Sequence, residues 1–271
     1  MNEVRRSAPV SQWRLALRDI AEGLRAHRVW MLLARMDIRQ RYRRSIIGPF
    51  WITIAMVIWI LAIGPLYSRL LGVGANELIP YVAMGIIGWG LISGLILEGS
   101  AAFVGAEHLV RSIKLPYTVH VLRVMQRNLV VFGHNLLAFV PFMLWLRLVP
   151  RLEWLASLLG VALIMIAALP MTILLGTLSA RFRDLQQMIA SIVQLAFFVT
   201  PIFWKADMLK DRAWFADYNP FQVMLELVRR PIVSGIPPAA TYGKMLLIIV
   251  VLFALALPFF ARYRRRLALW V

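Results

Sequence analysis

The chain has 271 residues, of which 61% are hydrophobic, and its mean hydropathy is +0.74. A soluble globular protein is excluded, because such a chain could not fold in water without exposing large apolar patches. The formal net charge is +17, but the basic residues sit at the ends of apolar runs, where anionic lipid headgroups attract them, and this argues against nucleic acid as the partner. The sequence contains no cysteine, which excludes disulfides, thiolate metal sites and cysteine nucleophiles.

The first 45 residues predict a cytoplasmic segment that begins with an amphipathic helix on the membrane surface. Its apolar positions recur at steps of four, three and four residues and are Trp13, Leu17, Ile20 and Leu24. Charged residues occupy the opposite side, which is the pattern of an interfacial helix.

A denser basic stretch follows at 34–45, and within it Asp37 can pair with Arg41 one helical turn further on. One interpretation is a positive-inside anchor alone, with an aromatic belt at Phe50 and Trp51. The other adds a site for an anion or a partner, since arginine binds phosphate through paired donors. The candidate residues for a lipid-diphosphate or interface contact are Arg35, Arg39, Arg41, Tyr42, Arg43 and Arg44.

Six apolar runs are each close to the ~20 residues that cross ~30 Å of hydrocarbon as a helix. They lie at about 46–67, 78–97, 128–146, 154–180, 185–204 and 245–261. On this map the side that holds both termini has 21 Lys and Arg and the other side has 9, so the positive-inside rule predicts cytoplasmic termini. We therefore expect an all-α integral membrane protein with one membrane domain at 46–271.

The cytoplasmic loop between the second and third predicted spans covers residues 105–116 and is short and charged. It can form one or two helical turns before Pro116 interrupts them. An ordinary loop would have the same composition. Because this loop is held between two membrane helices, it could also transmit the movement of a bound soluble partner to the part of the protein in the bilayer.

The segment 204–244 is apolar, but its helical pieces are too short to span a membrane. Asn219 followed by Pro220 is a favourable helix start, and we expect Pro231 to end that helix. The apolar stripe between them consists of Phe221, Met224, Leu225 and Val228. We expect a re-entrant pair of helices that dips in from the outer face, against protein or a water-filled cavity.

The sequence assigns no catalytic residue, no metal site and no cofactor to this chain. The phosphate-binding loop pattern G-x-x-x-x-G-K-[ST] is absent, since Gly243 and Lys244 are followed by Met245. Glu98 borders the second span, where it is interpreted as a helix-end carboxylate that reaches the interface or as a functional group. His134 and Asn135 could contact a polar substrate, or could bond helix to helix, which we favour.

Aromatic residues are abundant in the spans and in the outer segment, and most are expected to face lipid or the core. Those that face a shared pore would offer surfaces on which sugar rings can stack. The candidate channel or gate aromatics are Trp59, Trp89, Phe197, Phe198, Phe203, Trp204 and Phe221.

Several segments together resemble a known family. They are 34–51, with Arg35, Asp37, Arg41 and Trp51; Ile113 to Pro116; 180–185; Thr200, Pro201 and Ile202; and Asn219 and Pro220 with Glu226 and Arg229. The chain is similar in these segments to the membrane subunit of ABC-2-type exporters, which move lipid-linked polysaccharide, O-antigen or capsule out of bacteria.

The resemblance implies a homodimer of six-helix subunits in the bacterial inner membrane, bound to two copies of a separate ATPase that holds ATP and Mg. The coupling helix seated in that ATPase would be Glu107, His108, Leu109, Val110 and Arg111, with the N-terminal amphipathic segment as the interface helix beside it. The re-entrant helices at 204–233 would form the outer gate. The substrate would be a glycan on an undecaprenyl-diphosphate carrier.

Two alternatives stay open at the level of sequence. The first is the same architecture with another cargo, such as teichoic acid or a drug. The second is a membrane enzyme that acts on lipid-linked sugars, for which Glu98, Glu107 and His108 would be the available acid and base groups.

Overall fold

The computed structural model describes residues 12–43, 45, 47–48, 50–206, 208 and 214–271, and within these ranges the chain is helical without any strand. Arg44, one of the candidate headgroup contacts, and Ile46, where we expect the first span to begin, lie outside the described residues. The helices are α1 (Gln12–Arg25), α2 (His27–Arg41), α3 (Phe50–Leu71), α4 (Ala75–Ser100), α5 (Glu107–Ser112), α6 (Tyr117–Leu137), α7 (Val140–Trp145), α8 (Leu155–Arg181), α9 (Leu185–Val199), α10 (Trp214–Asp217), α11 (Pro220–Val233) and α12 (Ala239–Trp270).

Five helical segments in the described part of the chain are long and apolar enough to cross a membrane. They are Phe50–Leu71, Ala75–Ser100, Tyr117–Trp145, Leu152–Arg181 and Ala239–Trp270. These segments confirm an all-helical protein with membrane-spanning helices. The sixth predicted crossing, at 185–204, stays a prediction.

Helix α9 is shorter than the apolar run that predicts it. It has 15 residues and ends at Val199, and Thr200 is extended with φ −84° and ψ 134°. Pro201 explains this end, because a proline disfavours the helical conformation of the residue before it. At 1.5 Å per residue α9 is about 22 Å long, less than the ~30 Å thickness of the hydrocarbon core.

Helix α4 is the centre of the fold and packs against α3, α6, α8, α9 and α11, whereas few residues of α3 are buried. Helix α11 lies close against α8 because Gly160 has no side chain there, and an added Cβ would collide with the backbone of Leu227. The Ser157 hydroxyl donates to the carbonyl of Val228 at 2.8 Å and joins the same two helices.

Helix α1 packs on the protein through a face of small residues, of which Ala16, Asp19 and Gly23 are buried. Its predicted apolar stripe is left largely free, with Trp13 49% exposed and Leu17 54% exposed. The free stripe agrees with the amphipathic pattern read from the sequence.

Helix α11 begins where the sequence predicts. The Asn219 side chain accepts hydrogen bonds from the backbone N–H of Phe221 at 2.9 Å and of Gln222 at 3.4 Å, which makes it the N-cap. The prediction that Pro231 ends the helix is wrong, because α11 continues to Val233.

The two ends of the helical bundle differ in composition. One end, which we call the basic end, carries α1, α2, α5, the start of α6 and the C-terminal part of α12. The other, which we call the far end, carries the start of α4, the loop after α9, α10, α11 and the start of α12.

Candidate functional site

A network of charged side chains joins α2, α4 and α6 at the basic end. Asp37 accepts a hydrogen bond from Arg123 Nε at 2.7 Å and another from Arg127 Nη1 at 2.7 Å. Arg127 Nε also donates to Glu98 Oε2 at 2.9 Å. The predicted pairing of Asp37 with Arg41 is wrong, since Arg41 Nη2 instead donates to Glu98 Oε1 at 2.9 Å.

Glu98 is held inside this network rather than reaching freely to the interface. In addition to the two arginines, Asn128 Nδ2 donates to Glu98 Oε2 at 2.8 Å. Asp37 and Glu98 neutralise Arg123 and Arg127, whose side chains are only 17% and 15% exposed. The helical segment that contains the third candidate span begins at Tyr117, before the predicted start at 128.

The arginines change the acidity of Asp37. Burial raises the pKa of the Asp37 carboxyl, but the hydrogen bond from Arg123 and the charges of Arg123 and Arg127 outweigh burial, so the pKa lies below its usual value. The carboxylate is consequently ionised across the physiological pH range.

A cavity of about 150 Å³ opens within this network and is lined by Arg41, Glu98, His120, Arg123 and Arg127, and by the turn after α4. His120 is 1% exposed, and its Nδ1 has no hydrogen-bond partner in the described part of the protein. Asp37 and Glu98 balance two of the three guanidinium groups, which leaves one excess positive charge near the cavity for a phosphate-like anion.

Only part of the predicted headgroup set reaches this cavity. Arg41 lines it, whereas Arg35, Arg39 and Arg43 are exposed on the surface, and Tyr42 is half-buried. Sequence reasoning missed Arg123 and Arg127 as members of the site. The available signal was two arginines one helical turn apart at the start of an apolar helix.

A second cluster at the basic end surrounds Asp19 of α1, whose side chain is 0% exposed. Its carboxylate accepts hydrogen bonds from the backbone N–H of Tyr117 at 3.2 Å and of Thr118 at 3.0 Å, and from the Thr118 hydroxyl at 2.8 Å. Arg264 of α12 donates to the same carboxylate through Nε at 2.8 Å. Asp19 thus caps α6 from another helix and binds α12 at the same time.

The candidate coupling residues form the short helix α5 at the basic end. None of its residues is buried, and Glu107 pairs with Arg111 at 3.0 Å on its surface. Arg111 Nη2 also donates to the backbone oxygen of Val271 at 2.7 Å. The segment between α4 and α6 that carries α5 is closed at its base by an edge-on contact of the Phe103 and Tyr117 rings, whose centroids are 6.0 Å apart. Helix α5 is therefore a partly exposed projection, with Val110 packed against the core and His108, Arg111 and Ser112 exposed.

Aromatic residues line a cleft on the side of the bundle, between α3, α4 and α9. Trp89 and Phe197 lie in contact, with ring centroids 5.8 Å apart, and both line two adjoining cavities of about 280 Å³ and 320 Å³. Trp59 lines the first cavity and is 55% exposed, and Phe198 lines the second.

The other candidate channel aromatics surround the cleft. Phe203 packs on Phe197 at 5.0 Å, and Phe221 packs on Trp89 at 5.6 Å. Trp204 lies further toward the far end, where its carbonyl accepts a hydrogen bond from Tyr81 Oη at 3.1 Å. We therefore define the aromatic cleft by Trp59, Trp89, Phe197 and Phe198.

At the far end a buried arginine holds α11 in place. Arg229 is 1% exposed, and its guanidinium lies 3.8 Å from the centroid of the Tyr81 ring. It donates to the carbonyl of Pro201 at 2.6 Å and to Glu226 at 2.6 Å. These contacts fix α11 to α4 and to the loop after α9.

The remaining polar candidates are held in ion pairs or local contacts. Glu98 is bound by arginines and Glu107 by Arg111, and the described residues contain no group of three His, Asp or Glu able to hold a metal ion. His134 Nδ1 lies 2.9 Å from the carbonyl of Val130 in its own helix, while its carbonyl accepts from Thr53 of α3 at 3.0 Å. The His134 ring also lies edge-on to the ring of Phe50 in α3, with centroids 6.5 Å apart, so both its backbone and its ring contact α3.

The five long apolar helices identify an integral membrane protein. A family model described as "ABC-2 type transporter" matches residues 28–233, and the chain belongs to this family. The sequence resemblance to the membrane subunit of ABC-2-type exporters is confirmed. The family consists of transporter permease subunits.

Relatives at low identity cover most of the chain. An O-antigen export system permease protein of Klebsiella pneumoniae is 22% identical over 204 residues, which are 72% of this chain and 76% of the relative. A second one from the same species is 21% identical over 215 residues, or 76% and 80% of the two chains. One from Myxococcus xanthus is 24% identical over 189 residues, or 67% and 70%.

Proposed function

We propose that this chain is the channel-forming permease subunit of an ATP-driven exporter. Its cargo is a polysaccharide of the O-antigen or capsular type, linked to undecaprenyl diphosphate and moved from the cytoplasm to the outer side of the bacterial inner membrane. The observation that carries this proposal is the aromatic cleft, because it opens sideways at the level of the spans and presents ring faces suited to sugars.

The cleft would become a pore in a homodimer. Helix α3 and the outer face of α9 are largely exposed on either side of it, and Trp59 and Phe198 project from these helices. A second copy of the chain placed across the cleft would bury these faces and enclose an aromatic channel. In this arrangement α9 and the residues up to 204 complete the sixth crossing, and α10 and α11 form the re-entrant outer gate.

The energy for export would come from two copies of a partner ATPase that bind ATP and Mg. The chain has no phosphate-binding loop of its own. Helix α5 is the docking element because it is partly exposed and sits on a closed base between α4 and α6. The Asp19 cluster lies directly behind that base and would carry its movement to α1 and α12.

The carrier diphosphate would bind at the basic end before translocation. The cavity lined by Arg41, His120 and Arg123 offers hydrogen-bond donors to a phosphate, and Arg35, Arg39 and Arg43 add positive charge on the neighbouring surface. The excess of basic residues at this end supports a cytoplasmic location for both termini.

Two measurements test the proposal. Affinity purification of the protein from its native membrane should recover an ATP-binding subunit. Deletion of its gene should leave a lipid-linked glycan inside the cell, and the length of the stranded polymer separates polysaccharide from teichoic acid or a drug. A membrane without stranded glycan, or turnover of lipid-linked sugars by the purified chain alone, would contradict the proposal.

The coupling role of α5 has its own test. Replacing Glu107 and Arg111 together by alanine should abolish export while the protein still inserts and folds, because this pair lies on the surface. The matched control is the exposed pair Arg18 and Glu22 of α1, 2.6 Å apart. Equal export by the two double variants would refute the coupling role.

A further inference from the structure

A polar cavity of about 620 Å³ lies at the far end, and neither the aromatic cleft nor the charge network includes it. It is bounded by the start of α4, the residues after Trp204, one face of α11 and the start of α12. Residues on its wall include Glu77, Tyr81, Lys205, Gln222, Glu226 and Arg230. The last three recur every four residues, so they form one polar stripe along α11.

The cavity continues the aromatic cleft toward the far end. Along α4, Trp89 of the cleft is followed by Tyr81 and Glu77 of the cavity, which lie about 12 Å and 18 Å further along the helix axis. Tyr81 Oη donates to the carbonyls of Pro201 at 3.2 Å and of Trp204 at 3.1 Å, and so fixes the backbone that separates the two spaces. A chain that leaves the cleft along α4 therefore meets this cavity next.

The charges on the cavity wall are balanced. Lys205 forms an ion pair with Glu77, and Arg230 lies 3.9 Å from Glu226. Lys244 and Asp217 add one charge of each sign, and Lys244 donates to the Asp217 carbonyl at 2.9 Å. A wall without excess charge gives little attraction to a phosphate or a cation. It suits a neutral ligand with many hydrogen-bonding groups instead.

Two polar atoms on this wall lack partners among the residues that the structure describes. Gln222 is 7% exposed and donates through Nε2 to Glu226 at 3.0 Å, but its Oε1 accepts no hydrogen bond. Arg230 Nε is likewise buried without an acceptor. Both residues line the cavity, and a small rotation of either side chain would bring its unpaired atom to a ligand that both donates and accepts hydrogen bonds.

We propose that this cavity binds a short stretch of neutral sugar units as an exit site for the glycan. Sugar hydroxyls donate and accept equally well, and the cavity volume falls within the range of about 300–1000 Å³ typical of ligand sites. The inference rests on the proposed function, because it assigns to that substrate a second contact beyond the aromatic cleft.

The test uses the absence of native cysteine. A single cysteine is introduced by Thr241→Cys on the cavity wall, or by Ile236→Cys as the control at an exposed position nearby that does not line the cavity. Cells that produce each variant are labelled from outside with a membrane-impermeant maleimide, with glycan synthesis either running or arrested. Labelling of Thr241→Cys should slow about threefold during synthesis, as expected for a site occupied two thirds of the time, while Ile236→Cys is unaffected.

A further substitution, Gln222→Leu, tests the chemistry of the wall in the Thr241→Cys background. It should remove most of the protection while Ile236→Cys, carrying the same change, is labelled at its usual rate. Equal labelling of Thr241→Cys with and without glycan synthesis, in cells that still export, would overturn the exit site and leave the proposed function intact. Loss of the proposed function is recognised separately, because no glycan would then be stranded in cells that lack the protein.

Discussion

Replacing Asp19 by alanine should destabilise the basic end more than any other single change on α1. The substitution leaves Arg264 without its carboxylate and leaves the N–H groups of Tyr117 and Thr118 without their cap. Removing one partner of a buried ion pair costs about 3–5 kcal/mol, and loss of a helix cap about 1 kcal/mol. Because Arg264 is a quarter exposed and its guanidinium lies 5.5 Å from the Tyr117 ring, we expect a net loss of about 3 kcal/mol.

The assay is unfolding of the purified protein in mixed micelles by increasing SDS, with hydrogen exchange at residues 117–121 as a local measure. Glu22→Ala is the matched control, since Glu22 pairs with Arg18 on the exposed side of the same helix. Asp19→Asn should be intermediate, because the amide oxygen can still accept from Thr118 but the charge is lost. If Asp19→Ala and Glu22→Ala unfold at the same SDS fraction, the role assigned to the Asp19 cluster is refuted.

Three further predictions concern the charge network, the packing of α11 and the cleft. Because its carboxyl has a lowered pKa, Asp37 adds stability that is present above the usual carboxyl pKa and is lost as the pH falls through the lowered pKa. In thermal unfolding, the advantage of the wild type over Asp37→Asn should therefore hold down to about pH 4 and shrink below it. A difference that stays constant with pH would argue against the ion pairs. Gly160→Ala should lower the free energy of unfolding by about 1–3 kcal/mol in the same SDS titration. Gly133→Ala is the control, because an added Cβ there meets open space, and it should be neutral or up to about 1 kcal/mol stabilising. The reverse order would contradict the close packing of α11 on α8. Trp59→Ala should slow glycan export without loss of protein from the membrane. Trp145→Ala is the control, because Trp145 is similarly exposed (61% against 55%) but lies outside the cleft, and it should export normally. Equal export rates would argue against a pore at this cleft.

Helices and their caps could be predicted from the sequence because their signals are local. The apolar runs locate the spanning helices, and Asn219 followed by Pro220 locates the start of α11. The end of α9 at Val199 could also be predicted locally, because Pro201 disfavours the helical conformation of the residue before it. The apolar run continues to Trp204, however, and apolar composition alone predicts a longer helix.

The charge networks could not be predicted because their partners come from distant parts of the chain. Local spacing favours a pair of Asp37 with Arg41, but Arg123 binds Asp37 through two nitrogens of its planar guanidinium and is the stronger partner. Asp19 carried a weak signal, as a lone carboxylate on a face of small residues. A carboxylate at such a position requires a buried partner, but the sequence does not say which one.

Reconstitution into vesicles tests the central claim most directly. The protein is incorporated with its partner ATPase and a lipid-linked glycan, and the glycan that reaches the opposite side of the bilayer is measured by its sensitivity to an added glycosidase. We predict transfer that requires ATP and both subunits and that is lost when Glu107 and Arg111 are replaced together. Transfer without the ATPase, or ATP hydrolysis without any transfer in the intact complex, would contradict the account.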